Sequence, residues 1–343
     1  MTADKKMDIK ELRKKLKELY MICFPEDSES YADFFINEKF DGTNCMTLFD
    51  GDVLVNMLFL VKKKMVMRGV VFDVPYMVAG GTLPEYRGRG IFNGVILQNF
   101  KNLKAAGRPF TGLMPFDTDF YLRQCFVTHS FYKDVPLDGG GLPMKEISFG
   151  DITQMKTVYD GFMRDKNGWF YRDEAAFDLR LREIFGEGGK AYGLFDGGRM
   201  EGYILTFDDE EIDEYCGVTP DVIKKYDTHF ESVKENVGPG GELDNMLRIC
   251  DNKLLLGSVK YPADIDMTVT FSVEDSFYAE NSGVYSLTVA GGKGMVSDAP
   301  KGEIALTVED LTKLMCGCYD KGAYDERLEK IFPPALNCAL DKF

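Results

Sequence analysis

The stretch GGTLPEYRGRGIF, residues 80–92, puts four glycines and two arginines into thirteen positions. It follows an alternating, strand-like run and precedes a helical repeat with Ile91, Val95, Ile96, Phe100 and Leu103 on one side. A glycine-rich turn from strand to helix exposes backbone N–H groups at the positive end of the helix dipole, and such a turn suits a phosphate or pyrophosphate. Arg87 and Arg89 add charge-assisted donors for phosphate oxygens. The spacing is not that of G-x-G-x-x-G, and the G-K-[ST] of a P-loop is absent. A plain turn with two surface arginines is the competing interpretation.

Acid–base chemistry has few places to reside. The 343 residues include only two histidines, His129 and His229, which argues against a catalytic metal centre or a Ser-His-Asp triad. Proton transfer then falls to Asp, Glu, Tyr, Cys or a chain terminus. Eight scattered cysteines form no framework and read as reduced thiols, which points to the cytoplasm. Cys316 and Cys318 make a C-x-C without a second pair, so no metal is expected. A net charge of −15 argues against nucleic acid as a partner. It serves solubility, or an acidic cleft that attracts cationic amines. No apolar run reaches the roughly 18–20 residues that span a bilayer, and the N-terminal stretch lacks a signal-peptide core, so no membrane association is expected.

The elements that must position the turn can be read around it. Ile9, Leu12, Leu16 and Leu19 give a first helix, closed by FPED at 24–27, and SYADFFINEKF predicts a second. CMTLFD, VLVNMLFLV and GVVFDVPYMVAGGTL predict strands, followed by the glycine-rich turn and its helix, a strand at RPFTGLMPF and a short helix at DTDFYLRQCF. The fold class is α/β (α+β), with one long helix packed on a sheet. VPLDGGGLP at 135–143 reads as a linker. Two helices follow, around QMKTVYDGFM and DEAAFDLRLREIF, then a hairpin at AYGLFDGGRMEGYILTF and a polar helical stretch ending in ENVGPGGEL. Near the end, IDMTVTFSV alternates strictly, GVYSLTV and GEIALTV look like strands, AGGKGM like a hairpin turn, and Thr307 stands three residues before Asp310 as a helix cap.

LPEYRGRGI resembles the pyrophosphate loop of the GNAT N-acetyltransferases, R-x-x-G-x-[GA], with Phe92 where many members carry Gly or Ala. Taken whole, the chain resembles the Eis-like (enhanced intracellular survival) branch, where a bulky residue at that position is usual. FYLRQCF at 120–126 is similar to that branch's aromatic-Tyr-x-Arg segment, MLRICD opens a third domain, and the final residue is aromatic. The resemblance implies a GNAT domain over 1–138, a reduced second GNAT-like domain over 144–240 and a sterol-carrier-protein-like domain over 243–343.

The resemblance also implies chemistry and the residues for it. The chain would transfer acetyl from acetyl-CoA, a cosubstrate, to primary amines of small polyamine-like or aminoglycoside-like molecules or to lysine side chains, directly in a ternary complex. Arg87, Gly88, Arg89, Gly90 and Ile91 would hold the pyrophosphate, and Gly80, Gly81 and Thr82 would pair with the pantetheine arm. Tyr121 would protonate the leaving thiolate; its reference pKa near 10 lies about 1.5 units above that of a thiol. The α-carboxylate of Phe343 would serve as base or charge stabiliser, and Glu26 and Phe35 would line the amine site. A homo-oligomer is implied by the resemblance alone. The alternative is a non-catalytic acyl-CoA sensor or a scaffold that binds an apolar ligand.

Overall fold

The computed structural model describes residues 7–208 and 210–340. The chain forms two compact units, Met1–His129 with Asn245–Pro334, and Ser130–Asp244 with Ala335–Phe343.

The first unit begins with α1 (Ile9–Cys23) and α2 (Glu29–Phe34), the latter capped by Ser28, whose hydroxyl accepts from the Tyr31 N–H at 2.9 Å. A π-helical turn, Phe35–Lys39, continues α2 and rotates Phe35 and Ile36 into the core. Strands β1 (Cys45–Asp50), β2 (Val53–Met67) and β3 (Val70–Thr82) make an antiparallel meander. After the glycine-rich turn come α3 (Ile91–Ala105), β4 (Phe110–Leu113) and α4 (Thr118–Leu122). Strand Glu242–Ile249 pairs antiparallel with β4, from Met246 against Leu113 to Ile249 against Phe110. The apolar side of α3 does what its spacing predicts: Ile96, Phe100 and Leu103 pack with Leu58, Met77 and Leu113 of the sheet in one buried cluster. Each such fully buried side chain contributes roughly 1.5–3 kcal/mol.

Two irregularities in this sheet shape the site. The β2–β3 register runs Met57 against Gly81 but Phe59 against Val78, so Leu58 faces an extra residue. Ala79, in this bulge, has a φ of 45°. A bulge of this kind bends a strand and re-aims the side chains beyond it. On its other edge β3 meets β4 in parallel at one pair, Met77 and Leu113. The two strands part there, and Val78–Thr82 run on without a ladder to β4.

The later part of this unit is a second sheet, in the order Lys293–Asp298, Gly283–Ala290, Met267–Glu274, Ile304–Thr307, with helices Asn252–Ser258, Val308–Cys316 and Glu326–Ile331. The alternation of 265–273 buries Val269, Phe271 and Val273 as expected, and Thr307 and Asp310 form a reciprocal cap.

The second unit packs helices Ile152–Met163 and Glu174–Gly186 on a sheet ordered Glu214–Gly217, Arg199–Thr206, Lys190–Asp196, Lys145–Glu146. Three expectations need correcting here. The polar stretch before residue 243 is not helical beyond a short 3₁₀ turn at Pro220–Lys225; Ser232–Val237 is a strand paired with 131–136, which buries Val233. Cross-strand packing there overrides local propensity. The glycine run of 135–143 is packed rather than free: the Gly140 N–H donates to the Tyr226 carbonyl at 2.7 Å, and Leu142–Pro143 pair with Tyr226–Asp227. Finally, the terminal stretch does not group with the residues after 243. Its Asn337 bridges to Asn167, Cys338 meets the Asn236 side chain, and the Ala339 N–H donates to the Ser130 hydroxyl at 3.2 Å, all within this second unit.

Candidate active site

Where β3 and β4 part, the first unit holds a cavity of about 610 Å³. Its wall comes from three places: Cys23, Phe24 and Glu26 at the end of α1; Gly80 to Thr82 at the end of β3 with Tyr86 to Gly88 and Gly90 to Asn93 of the turn; and Phe116 and Phe120 around α4. The volume is that of a small-molecule site.

Local hydrogen bonds fix each part. Asn56 of β2, opposite Thr82 in register, donates through Nδ2 to the Gly81 carbonyl at 2.9 Å and the Thr82 hydroxyl at 2.8 Å. It is fully buried and pins the free-running end of β3. The Leu83 N–H donates to the Val55 carbonyl at 2.9 Å, and a 3₁₀ turn over Pro84–Tyr86 carries the chain away from the sheet. Tyr86 donates through its hydroxyl to Asp50 at 2.9 Å. At the other wall, Tyr20 donates to the Asp27 carboxylate at 2.5 Å and holds the bend that presents Phe24 and Glu26.

The turn delivers a helix end without a cap. Gly90, the residue before α3, has a φ of 73°, a left-handed conformation that favours glycine. Among the described residues no side chain caps α3, and its first turn has no acidic residue. The leading N–H groups of α3 therefore remain available to an anion. Arg87 stands beside them, its Nε donating to the Thr82 carbonyl at 2.9 Å. Burial pushes the Cys23 thiol up, and the neighbouring Arg87 guanidinium works against that shift.

Of the residues singled out by sequence, Glu26, Gly80, Gly81, Thr82, Arg87, Gly88, Gly90 and Ile91 share this one wall. Arg89 does not: its guanidinium donates to the Glu85 carbonyl at 2.7 Å and lies over the Tyr86 ring, 5.0 Å from its centre. Phe35 is absent from the wall as well. The π-helical turn sends it into the core, edge-on to Phe59 at 5.0 Å. Tyr121 is buried one ring behind the wall, edge-on to Phe116 at 5.6 Å and Phe120 at 5.1 Å. Burial, with a smaller contribution from Asp117, pushes its phenol above the usual tyrosine range. Phe343 lies outside the described residues. Sequence reasoning missed Asn56, Cys23 and Phe116 and met Phe120 only as part of FYLRQCF; of the first three only Asn56 left a signal, as the one polar residue in VLVNMLFLV.

Residues 7–126 match the acetyltransferase (GNAT) domain family, and residues 253–331 match the sterol carrier protein domain family. Over its full length the chain also superposes on Eis1 from Mycobacterium abscessus, with a TM-score of 0.73, 13% identity and 100% of each chain covered. The chain carries a GNAT acetyltransferase domain and a sterol-carrier-protein-like domain, and it shares the fold of Eis1. The same fold is seen in a GCN5-related N-acetyltransferase from Anabaena variabilis, with a TM-score of 0.78 at 19% identity over 97% of this chain and 98% of that one. It is seen again in a conserved protein of unknown function from Enterococcus faecalis, a probable N-acyltransferase, with a TM-score of 0.78 at 16% identity over 100% of both chains. No curated protein matches the chain.

The GNAT fold family uses acyl-CoA, and the chemistry of the residues around the cavity is compatible with such a molecule. The open end of α3 with Arg87 fits a pyrophosphate, and the unladdered Val78–Thr82 edge offers backbone groups to an extended amide-bearing arm. Among the described residues no helix is long and apolar enough to cross a membrane, and no group of three or more His, Cys, Asp or Glu is placed to hold a metal ion.

Proposed function

We propose that this protein transfers the acetyl group of acetyl-CoA to primary amines of small polyamine-like or aminoglycoside-like molecules or of lysine side chains. The observation that carries this reading is the convergence, on one cavity wall, of an uncapped helix N-terminus, Arg87 and a strand edge freed from its ladder. The α3 N–H groups and Arg87 hold the pyrophosphate. The strand edge from Gly80 to Thr82 aligns the pantetheine arm and offers donors to the thioester carbonyl as it gains negative charge.

Glu26 supplies the carboxylate on the same wall and attracts the cationic acceptor, in keeping with the net charge of −15. Once the amine is deprotonated, its nitrogen attacks the thioester carbon. A C–N bond forms, the C–S bond breaks, one of the two remaining nitrogen protons leaves to a base while the other stays in the amide, and the thiolate takes up a proton. We assign the acid to Tyr121 on the resemblance; its ring packs directly behind Phe116 and Phe120 of the wall.

Calorimetry with acetyl-CoA and with its dephosphorylated, pyrophosphate-free pantetheine fragment tests the binding half of this reading. Acetyl-CoA should bind and the fragment should bind far more weakly. Equal affinity for the two would remove the pyrophosphate role of the turn.

A further inference from the structure

We propose that Phe92 and Phe120 together limit the length of the acyl chain the site accepts, with Phe92 closing the cavity to groups longer than acetyl. This rests on the acyltransferase reading and names a specificity that reading leaves open. Both rings line the cavity. They stack with centroids 5.8 Å apart and planes inclined by 19°, one reaching from α3 and the other from α4. The ring of Phe92 ends on the backbone of β3. A Cβ built on Gly80 would lie 2.4 Å from its Cζ and 2.9 Å from its Cε2, so the ring edge occupies the space a side chain would take there.

Gly80 belongs to the bulge, in the part of β3 that has left β4, and the proposed function puts the thioester end of the donor there. Both rings are backed by the cluster that holds Leu58, Val95, Ile96 and Tyr121, so neither can retreat to admit a longer chain. A methyl group fits beside such a ring edge. Further methylenes need the volume that the two rings fill. A glycine on the strand and a phenylalanine on the helix thus form a matched pair, and changing one size without the other disturbs the site.

The test uses the full chain as wild type, Phe92→Ala, Phe92→Leu and Phe120→Ala. Acetyl-, butyryl- and hexanoyl-CoA serve as donors to an amine the wild type acetylates, and the readout is the ratio of kcat/KM for hexanoyl to that for acetyl. One methylene in an apolar pocket discriminates by about 10- to 200-fold. The wild type should therefore strongly prefer acetyl, and the ratio should rise at least about tenfold in Phe92→Ala. It should rise less in Phe92→Leu and Phe120→Ala. The leucine variant stands in if the alanine variant does not fold, as judged by thermal melting. Gly80→Ala should depress acetyl transfer, and adding Phe92→Leu should restore part of it. A wild type that uses hexanoyl-CoA as readily as acetyl-CoA, or a ratio unmoved in folded Phe92 variants, overturns the proposal and leaves the transferase intact. If the wild type transfers nothing, the transferase reading fails instead. Calorimetry then decides the pair by asking whether Phe92→Ala gains affinity for hexanoyl-CoA over acetyl-CoA; no gain, or no acyl-CoA binding at all, overturns it.

Discussion

The Nε of Arg87 donates to the carbonyl of Thr82 at 2.9 Å, tying the cation of the glycine-rich turn to the last residue of β3. The bond joins the two halves of the candidate donor site, the anion-binding helix end and the free strand edge. A cation held in this way loses less side-chain freedom when a phosphate arrives, so more of the charge-assisted bond appears as affinity.

Replacing that cation tests its role. Charge-assisted hydrogen bonds contribute about 1.5–3 kcal/mol, so Arg87→Gln should weaken acetyl-CoA binding by roughly 10- to 100-fold. Titration calorimetry at two salt concentrations measures this, with the wild type losing affinity as salt rises and the variant losing less. Arg89→Gln, whose guanidinium is engaged with Glu85 and Tyr86, should cost much less.

Tyr121→Phe keeps the ring packed between Phe116, Phe120 and Phe126 and removes only the hydroxyl. With Tyr121 as general acid, kcat should fall by about 10²- to 10⁴-fold with little change in KM for acetyl-CoA or in melting temperature. A variant that turns over like wild type would reduce Tyr121 to a packing residue.

The largest single-residue cost to stability should lie away from the cavity. Arg248 and Asp275 are both fully buried, with Nη2 donating to the two carboxylate oxygens at 2.9 and 2.7 Å. Asp275 also accepts from the Tyr278 N–H at 2.8 Å and the Asn281 side chain at 3.0 Å, and the guanidinium lies 4.4 Å from the centre of the Phe100 ring. Removing one partner leaves an uncompensated buried charge. Asp275→Ala should therefore destabilise by about 3–5 kcal/mol in denaturant unfolding. Replacing both residues with apolar ones should cost less than that single change.

Burial also sets an alkaline limit. It pushes the Cys250 and Cys318 thiols up to about 12, and raises Cys316, Cys338, Tyr121 and Tyr261 above their ordinary ranges. Each group is protonated in both states at neutral pH. Above the unfolded thiol pKa near 8.5, and again above the tyrosine value near 10, the unfolded chain releases protons that the folded chain retains. Their contribution is therefore complete below about pH 8.5 and lost as pH climbs toward about 12. Melting temperature should be flat near neutrality and fall above about pH 8.5; a rise there would contradict these burials.

Much of the glycine-rich wall was legible because its logic is local. Glycines, arginines and a following helix within a dozen residues specify a turn, a dipole and a charge without reference to distant parts of the chain. The rest of the wall was less legible because it is assembled across long separations. Asn56 stands out as polar in an apolar run, but its role depends on lying opposite Thr82, a register that only the folded β2–β3 pair defines. Phe35 was expected at the amine site from the resemblance, and one π-helical turn was enough to bury it. Ser232–Val237 looked polar and helical until its pairing with 131–136 became visible.

The central claim is acetyl transfer to an amine, and mass spectrometry tests it most directly. The untagged chain would be incubated with acetyl-CoA and a panel of polyamines, aminoglycosides and lysine peptides, beside Arg87→Gln and a heat-inactivated control. Mass detection avoids interference from the protein's own eight thiols. The account predicts an acetylated amine with wild type, strongly reduced with Arg87→Gln and absent from the control. Acetyl-CoA bound and returned unchanged across the whole panel would contradict it.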